Sequence, residues 1–222
     1  MTSPRGPRIP TQEALSRPAV PATATRAYGV GPRCTGELRL PGGPGPHPTV
    51  VVIHGGCWRS MADRRYMQDL AADLTAHGVA TWNLDFRRSD DPGGGWPGTF
   101  LDVAAGADHL RVLAREYPLD LQRMAALGHS SGGHLALWLG ARGRIPAGTP
   151  LSAPDPLRPR GVVSLGGIAD LAHFHALDDR ACLGGIEELL GGPLELNQER
   201  LALTDPGRLL PLGIPQLLLH GE

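Results

Sequence analysis

Residues 49–53 read Thr-Val-Val-Val-Ile, an unbroken run of β-branched side chains. Branching at Cβ restricts χ1 and favours extended backbone. The lack of polar alternation predicts a strand covered on both faces, the condition of a parallel sheet. Parallel neighbours need crossover connections, usually helices, and the flanking sequence supplies them. Asp63 is placed to cap a helix whose stripe is Tyr66, Met67, Leu70 and Leu74, with Gly78 as its stop. "VATWNL" (79–84) predicts the next strand, and Thr99 a second helix cap before Phe100, Val103, Ala107, Leu110 and Leu113. A short strand follows at 123–127, then a helix over 132–142 that is small or apolar nearly all round, hence buried. Strands at 161–165 and 214–222 complete the pattern, with an early edge strand at 34–40. The alternation predicts an α/β protein with a doubly wound, mostly parallel sheet and helices on both faces.

With 222 residues, a single domain is expected over 34–222, preceded by a mobile, Pro-rich lead-in at 1–33. A cap-like segment is expected at about residues 166–205. A formal net charge of −1 gives no reason to expect nucleic acid or an acidic membrane surface as partner. All 21 basic residues are Arg, so a phosphate-binding loop ending in Gly-Lys is excluded. No apolar run approaches the ~20 residues of a membrane span, and residues 1–29 lack the apolar stretch of a signal peptide. Cys34, Cys57 and Cys182 form no C-x-x-C pair, which predicts reduced thiols and a cytoplasmic setting. No His/Cys cluster has metal-ligand spacing, nor do Asp170 and the Asp178–Asp179 pair, so no metal or cofactor is expected.

Two motifs carry chemistry. Gly128-His129-Ser130-Ser131-Gly132 stands between an apolar strand and the buried helix. A nucleophile on a sharp strand-to-helix turn needs small neighbours, and the following helix aims amides and its positive dipole end at the site. Chance gives about 0.16 such matches in a chain of this composition, so the weight rests on the flanking strand and helix. The alternative, a turn whose serine merely caps the helix, stays open at this point. His54-Gly55-Gly56-Cys57-Trp58 follows the Thr-Val-Val-Val-Ile strand directly. A Gly-rich turn at a strand's end leaves amides free to meet an oxyanion, and this pattern arises by chance only about 0.003 times per chain.

"VVVIHGGCW", "GHSSGGHLALW" and "IPQLLLHGE" together resemble the serine esterase branch of the α/β-hydrolase superfamily. The resemblance is greatest to carboxylesterase/feruloyl-esterase-like and kynurenine-formamidase-like proteins, and it runs from about Cys34 to Glu222. It implies hydrolysis of a small ester through an acyl-enzyme on Ser130, with oxyanion donors from the amides of Gly56, Cys57 and Ser131. His54 would be a scaffold residue bonding its own loop, and Cys57 a small filler lending only its amide. Trp58 would pack beside the acyl pocket, with Trp96 a second pocket candidate. The substrate would be a small-molecule ester or amide, with formamidase or peptidase-like amide hydrolysis as the variant.

The resemblance also implies an Asp and a His after Ser130 in the chain, the Asp shortly after the "LLLHG" strand. The sequence stops at Glu222, so the fold's last strand and helix, and both triad partners, are expected to be missing. His129 is too close to Ser130 to turn back on it, His134 is expected to be packed, and His47, His77 and His109 to be structural or solvated. His173 and His175 lie in the cap, and His220 at the final turn. Glu222 has no His to orient. The reading from another class is therefore a non-catalytic remnant or binding module.

Overall fold

The computed structural model describes residues 11–177, 182 and 184–221; the Asp178–Asp179 pair and Glu222 lie outside them. Helix α1 (Thr11–Ser16) and strands β1 (Ala24–Ala27), β2 (Thr35–Arg39) and β3 (His47–Ile53) come first. Helix α2 (Gln68–Ala76), β4 (Ala80–Leu84), α3 (Gly98–Asp108), α4 (Leu110–Glu116), β5 (Leu119–His129) and α5 (Ser131–Ala141) follow. Then come β6 (Val162–Leu165), the short helices α6 (Leu171–Ala176), α7 (Gly185–Leu190) and α8 (Gln198–Thr204), and β7 (Gln216–Leu219). The seven strands form one sheet in the order β1-β2-β4-β3-β5-β6-β7. The first two pairings are antiparallel and the rest parallel.

The β-branched run lies near the middle of this sheet, and its composition follows from its two faces. Val51 and Ile53 belong to the large core that also holds Phe100, Val103, Leu110, Leu135 and Trp138. Val52 points the other way, into a smaller core with Met67, Ala71 and Leu127. Successive side chains alternate across a strand, so Val51, Val52 and Ile53 each meet a core, and the buried Thr49 hydroxyl turns back to the His47 carbonyl. Helices therefore lie on both faces, as expected. Every residue of α5 is buried, which explains a helix without a polar stripe.

Several boundaries differ from the sequence expectation. Asp63 accepts from the Arg65 amide at 2.8 Å, but what it caps is a 3-10 turn, Arg64–Met67, that leads into α2. Thr99 is not a cap. Pro97 holds that place, and the buried Thr99 hydroxyl donates to the Arg87 carbonyl at 2.6 Å while accepting from the Gly95 amide. Leu110 and Leu113 sit on a separate helix, α4, because the chain breaks at His109. His47 opens β3 and is buried, a structural rather than a solvated histidine.

The Pro-rich lead-in also joins the fold over its described part. β1 pairs antiparallel with β2, from Ala24 opposite Leu38 to Ala27 opposite Thr35. Upstream, Arg17 meets Asp69 at 2.6 Å, and Gln68 bonds both the Pro18 carbonyl and the Val20 amide. These ties are backbone pairings and polar contacts, which leave no apolar periodicity to read. At the opposite edge, Leu217, Leu218 and Leu219 of β7 are 51%, 45% and 49% exposed, an apolar edge that carries no charged residue.

Trp138 is wholly buried, edge-on to Phe100 at 5.1 Å, and its indole donates to the Leu203 carbonyl at 3.0 Å. Trp138→Ala is expected to lower stability by about 3–5 kcal/mol, read as a drop in urea midpoint at unchanged slope.

Candidate active site

The two motifs meet because β3 and β5 are parallel neighbours in register, with Ile53 opposite Gly128. A Cβ on Gly132 would fall on the carbonyls of Ile53 and His54, and one on Gly128 on the carbonyl of Gly132. A Cβ on Gly55 would sit 2.8 Å from the His129 carbonyl and 3.1 Å from Ser130 Cβ. The glycines at these positions let the turn after β3 lie against the turn after β5.

Ser130 stands between β5 and α5 at φ 54°, ψ −123°, a region that costs a non-glycine residue of the order of 1–3 kcal/mol. Its amide donates to the Leu165 carbonyl of β6 at 2.8 Å, while its own carbonyl accepts from Gly133 and His134. Ser130 makes no side-chain cap bond to the helix. The turn therefore does not depend on the serine as a helix cap. Among the described residues, no partner takes the Ser130 hydroxyl or the amides of Gly56 and Ser131.

The facing turn is also held in a left-handed path. Gly56, Cys57 and Trp58 have φ of 116°, 52° and 58°, and the Arg59 amide closes the turn onto the Gly56 carbonyl at 2.8 Å. Left-handed backbone costs L-residues about 1–2 kcal/mol each, so the contacts of Cys57 and Trp58 must hold it. Trp58 is 1% exposed; its carbonyl accepts from the Ser89 amide and hydroxyl, and its indole donates to His134 Nδ1 at 3.2 Å. Trp58 is thus a buried anchor of the turn. Cys57 is not a bare filler and the cysteines are not all reduced: Cys57 and Cys182 form a disulfide. Cys34 is the free, buried thiol.

His54 plays the expected scaffold part. Its Nδ1 lies 2.7 Å from the Gly55 carbonyl, its ring stacks on Phe86 at 4.4 Å, and Nε2 lies 3.4 Å from Asp85. Asp85 is buried and also meets Arg88 at 2.8 Å and Arg64 at 3.4 Å. Arg87 forms a two-pronged pair with Asp102. Asp85, Arg87 and Arg88 therefore brace the loop after β4 through ion pairs.

None of the nine histidines is hydrogen-bonded to the Ser130 hydroxyl. His134 is wholly buried and has both ring nitrogens engaged, Nε2 donating to the Thr204 carbonyl at 2.9 Å. His129 packs against Tyr66 and lines a cavity of about 240 Å³ with Met67, Leu70 and Leu165. His175 lies 3.6 Å from Glu187 of α7. Trp96 lines a separate cavity of about 560 Å³ beside Thr149, Glu199 and Arg200, with the Arg200 guanidinium 5.9 Å above its ring. Ser130 and the facing turn do not line that cavity. Among the described residues no group of three or more His, Cys, Asp or Glu is placed to hold a metal ion. Sequence reasoning missed Leu165, Arg59 and Glu188; single contacts of ordinary residues leave no motif.

A model of the BD-FAE family, esterase and feruloyl-esterase-like α/β-hydrolases, matches residues 39–222. The chain belongs to the BD-FAE family. Similar solved structures share the fold at low identity. Esterase B from Lactobacillus rhamnosis superposes with TM-score 0.73 at 20% identity, covering 94% of this chain and 69% of that one. A truncated carbohydrate esterase from gut microbiota gives 0.72 at 20%, covering 90% and 77%. The bifunctional GH43-CE protein of Bacteroides eggerthii gives 0.72 at 24%, where 87% of this chain matches 29% of that one. No helix among the described residues of this BD-FAE member is long and apolar enough to cross a membrane.

Burial pushes the His134 imidazole down to about 4. The unfolded imidazole, with its ordinary value near 6.5, takes up a proton first as pH falls. The native state therefore loses about 3 kcal/mol from this group between pH 6.5 and 4. Two measurements check this: urea stability should fall over that window, and the His134 ring should stay neutral to pH 5 by NMR titration.

Proposed function

We propose that this protein hydrolyses small carboxylic esters through an acyl-enzyme on Ser130. The observation that carries the reading is the strained φ of Ser130 together with the contact of Gly55 against it. Sub-optimal backbone persists where the surroundings over-determine it, and such sites cluster at functional groups. In this reading the Ser130 oxygen attacks the ester carbon, and the developing oxyanion lies between the Ser131 amide and those of Gly56 and Cys57. Such preorganised donors are worth about 10²–10³ in rate apiece. The BD-FAE membership supports an ester as substrate class. Trp96, away from Ser130, would act on a distal part of the substrate. The formamidase or peptidase-like variant uses the same nucleophile on an amide.

A second reading, a binding module without catalysis, is favoured by one observation: no base among the described residues bonds the Ser130 hydroxyl. A serine hydroxyl without a base to take its proton is a weak nucleophile. The cytoplasmic location belongs to the proposal too, and there the Cys57–Cys182 pair would cycle between thiol and disulfide rather than stay oxidised.

A fluorophosphonate probe separates the two readings. Covalent labelling and 4-nitrophenyl acetate turnover, both lost in Ser130→Ala with unchanged circular dichroism, are the expected outcome for the hydrolase. Folded protein that neither labels nor turns over overturns it.

A further inference from the structure

The turn carrying Gly56 and Cys57 is gripped through two ties, one to Cys182 just before helix α7 and one to Glu188 within it. Cys57 and Cys182 are bonded across 125 residues of sequence, with Cα atoms 5.3 Å apart. Beside them, Arg59 Nη2 and Nε donate to the two carboxylate oxygens of Glu188 at 2.6 and 2.7 Å, and Nη1 donates to the Cys182 carbonyl at 3.1 Å. Between the ties the start of α7 presses on the turn. A Cβ on Gly185 would lie 3.1 Å from the Cys57 carbonyl and 3.6 Å from the Trp58 ring. The covalent tie thus lands on a residue whose left-handed backbone needs support, within the turn that would receive the oxyanion.

We propose that the Cys57–Cys182 disulfide and the Arg59–Glu188 pair position the oxyanion turn, so that acyl transfer at Ser130 depends on the redox state of the two cysteines. The inference rests on the reading of Ser130 as a nucleophile. The reductant is a dithiol. One of its thiolates attacks a protein sulfur, forming a mixed disulfide and releasing the other cysteine as a thiolate that takes a proton. The second thiol then closes onto the first sulfur and releases the remaining cysteine. Two electrons and two protons pass to the protein, and the dithiol leaves as a cyclic disulfide. With the covalent tie gone, the hold of this segment on Cys57 is weakened, and the exposed Arg59–Glu188 pair that stays beside it is a weak restraint. Arg59 and Glu188 act through the turn, so they are positioning residues.

The test uses the full chain equilibrated with oxidised or reduced dithiothreitol. Peptide mapping without reductant should find Cys57 linked to Cys182 in the oxidised sample. Reduction should raise amide exchange at residues 56–59 and 184–190 and lower kcat for 4-nitrophenyl acetate about 10-fold, with KM little changed, since a displaced amide weakens the transition state alone. Oxidised dithiothreitol should restore both. Cys182→Ser should stay at the reduced level and ignore the reagent, while Cys34→Ala should respond like the parent chain. Arg59→Ala should lower kcat further in the reduced state, with Arg59→Lys recovering part of it.

An absent crosslink under oxidising conditions overturns the proposal, as does turnover indifferent to the dithiol or exchange that does not change at 56–59. Absence of turnover in both states overturns the Ser130 reading itself. Exchange at 56–59, which needs no activity, then still reports whether the clamp exists.

Discussion

At the tops of β3 and β5 two backbone segments approach so closely that no methyl group fits between them. Gly132 lies on the carbonyls of Ile53 and His54, and Gly55 on His129 and Ser130. This contact needs the parallel register of Ile53 against Gly128, and that register needs helices on both faces to bury the apolar run of β3. Without it, the amides of the turn after β3 and the hydroxyl after β5 would belong to different parts of the surface.

Strain is then distributed over both turns. Ser130, Cys57 and Trp58 all hold left-handed backbone, and each is secured by something outside its own turn. Ser130 is tied to Leu165 of β6, Trp58 to His134 and Ser89, and Cys57 to the segment before α7. His134 shows how core and site share residues: it accepts from Trp58 with one nitrogen and donates to Thr204 with the other. Burial keeps the imidazole neutral, and those bonds leave it no lone pair for Ser130. Beneath them the His54–Asp85–Arg88 cluster fixes the loop after β4 against the same turn.

Much of this was legible in the chain. The β-branched run, the helix stripes and the two Gly-bearing motifs predict the parallel sheet and the pairing of Ser130 with the His-Gly-Gly turn, because burial and steric exclusion restrict which residue types can occupy those positions. Less legible were elements held by polar or backbone contacts. β1 pairs through main-chain bonds with mostly exposed side chains, so nothing apolar marked it inside the Pro-rich lead-in. Thr99 and Leu110 show the limit of pattern: the stripe was real, but where a helix starts or breaks depended on Pro97 and His109 in their three-dimensional setting.

By itself, then, the sequence determined the layered α/β architecture and the residue types of the two turns, since hydrophobic periodicity and the need for glycine at close approaches are local constraints. Only the tertiary structure decided that Trp58 is a buried anchor, that Trp96 lies on a cavity apart from Ser130, and that Cys57 is joined to Cys182. Those outcomes depend on which distant segments pack together across 76 to 125 residues, and pairwise contacts over such separations leave no periodic trace in a single chain.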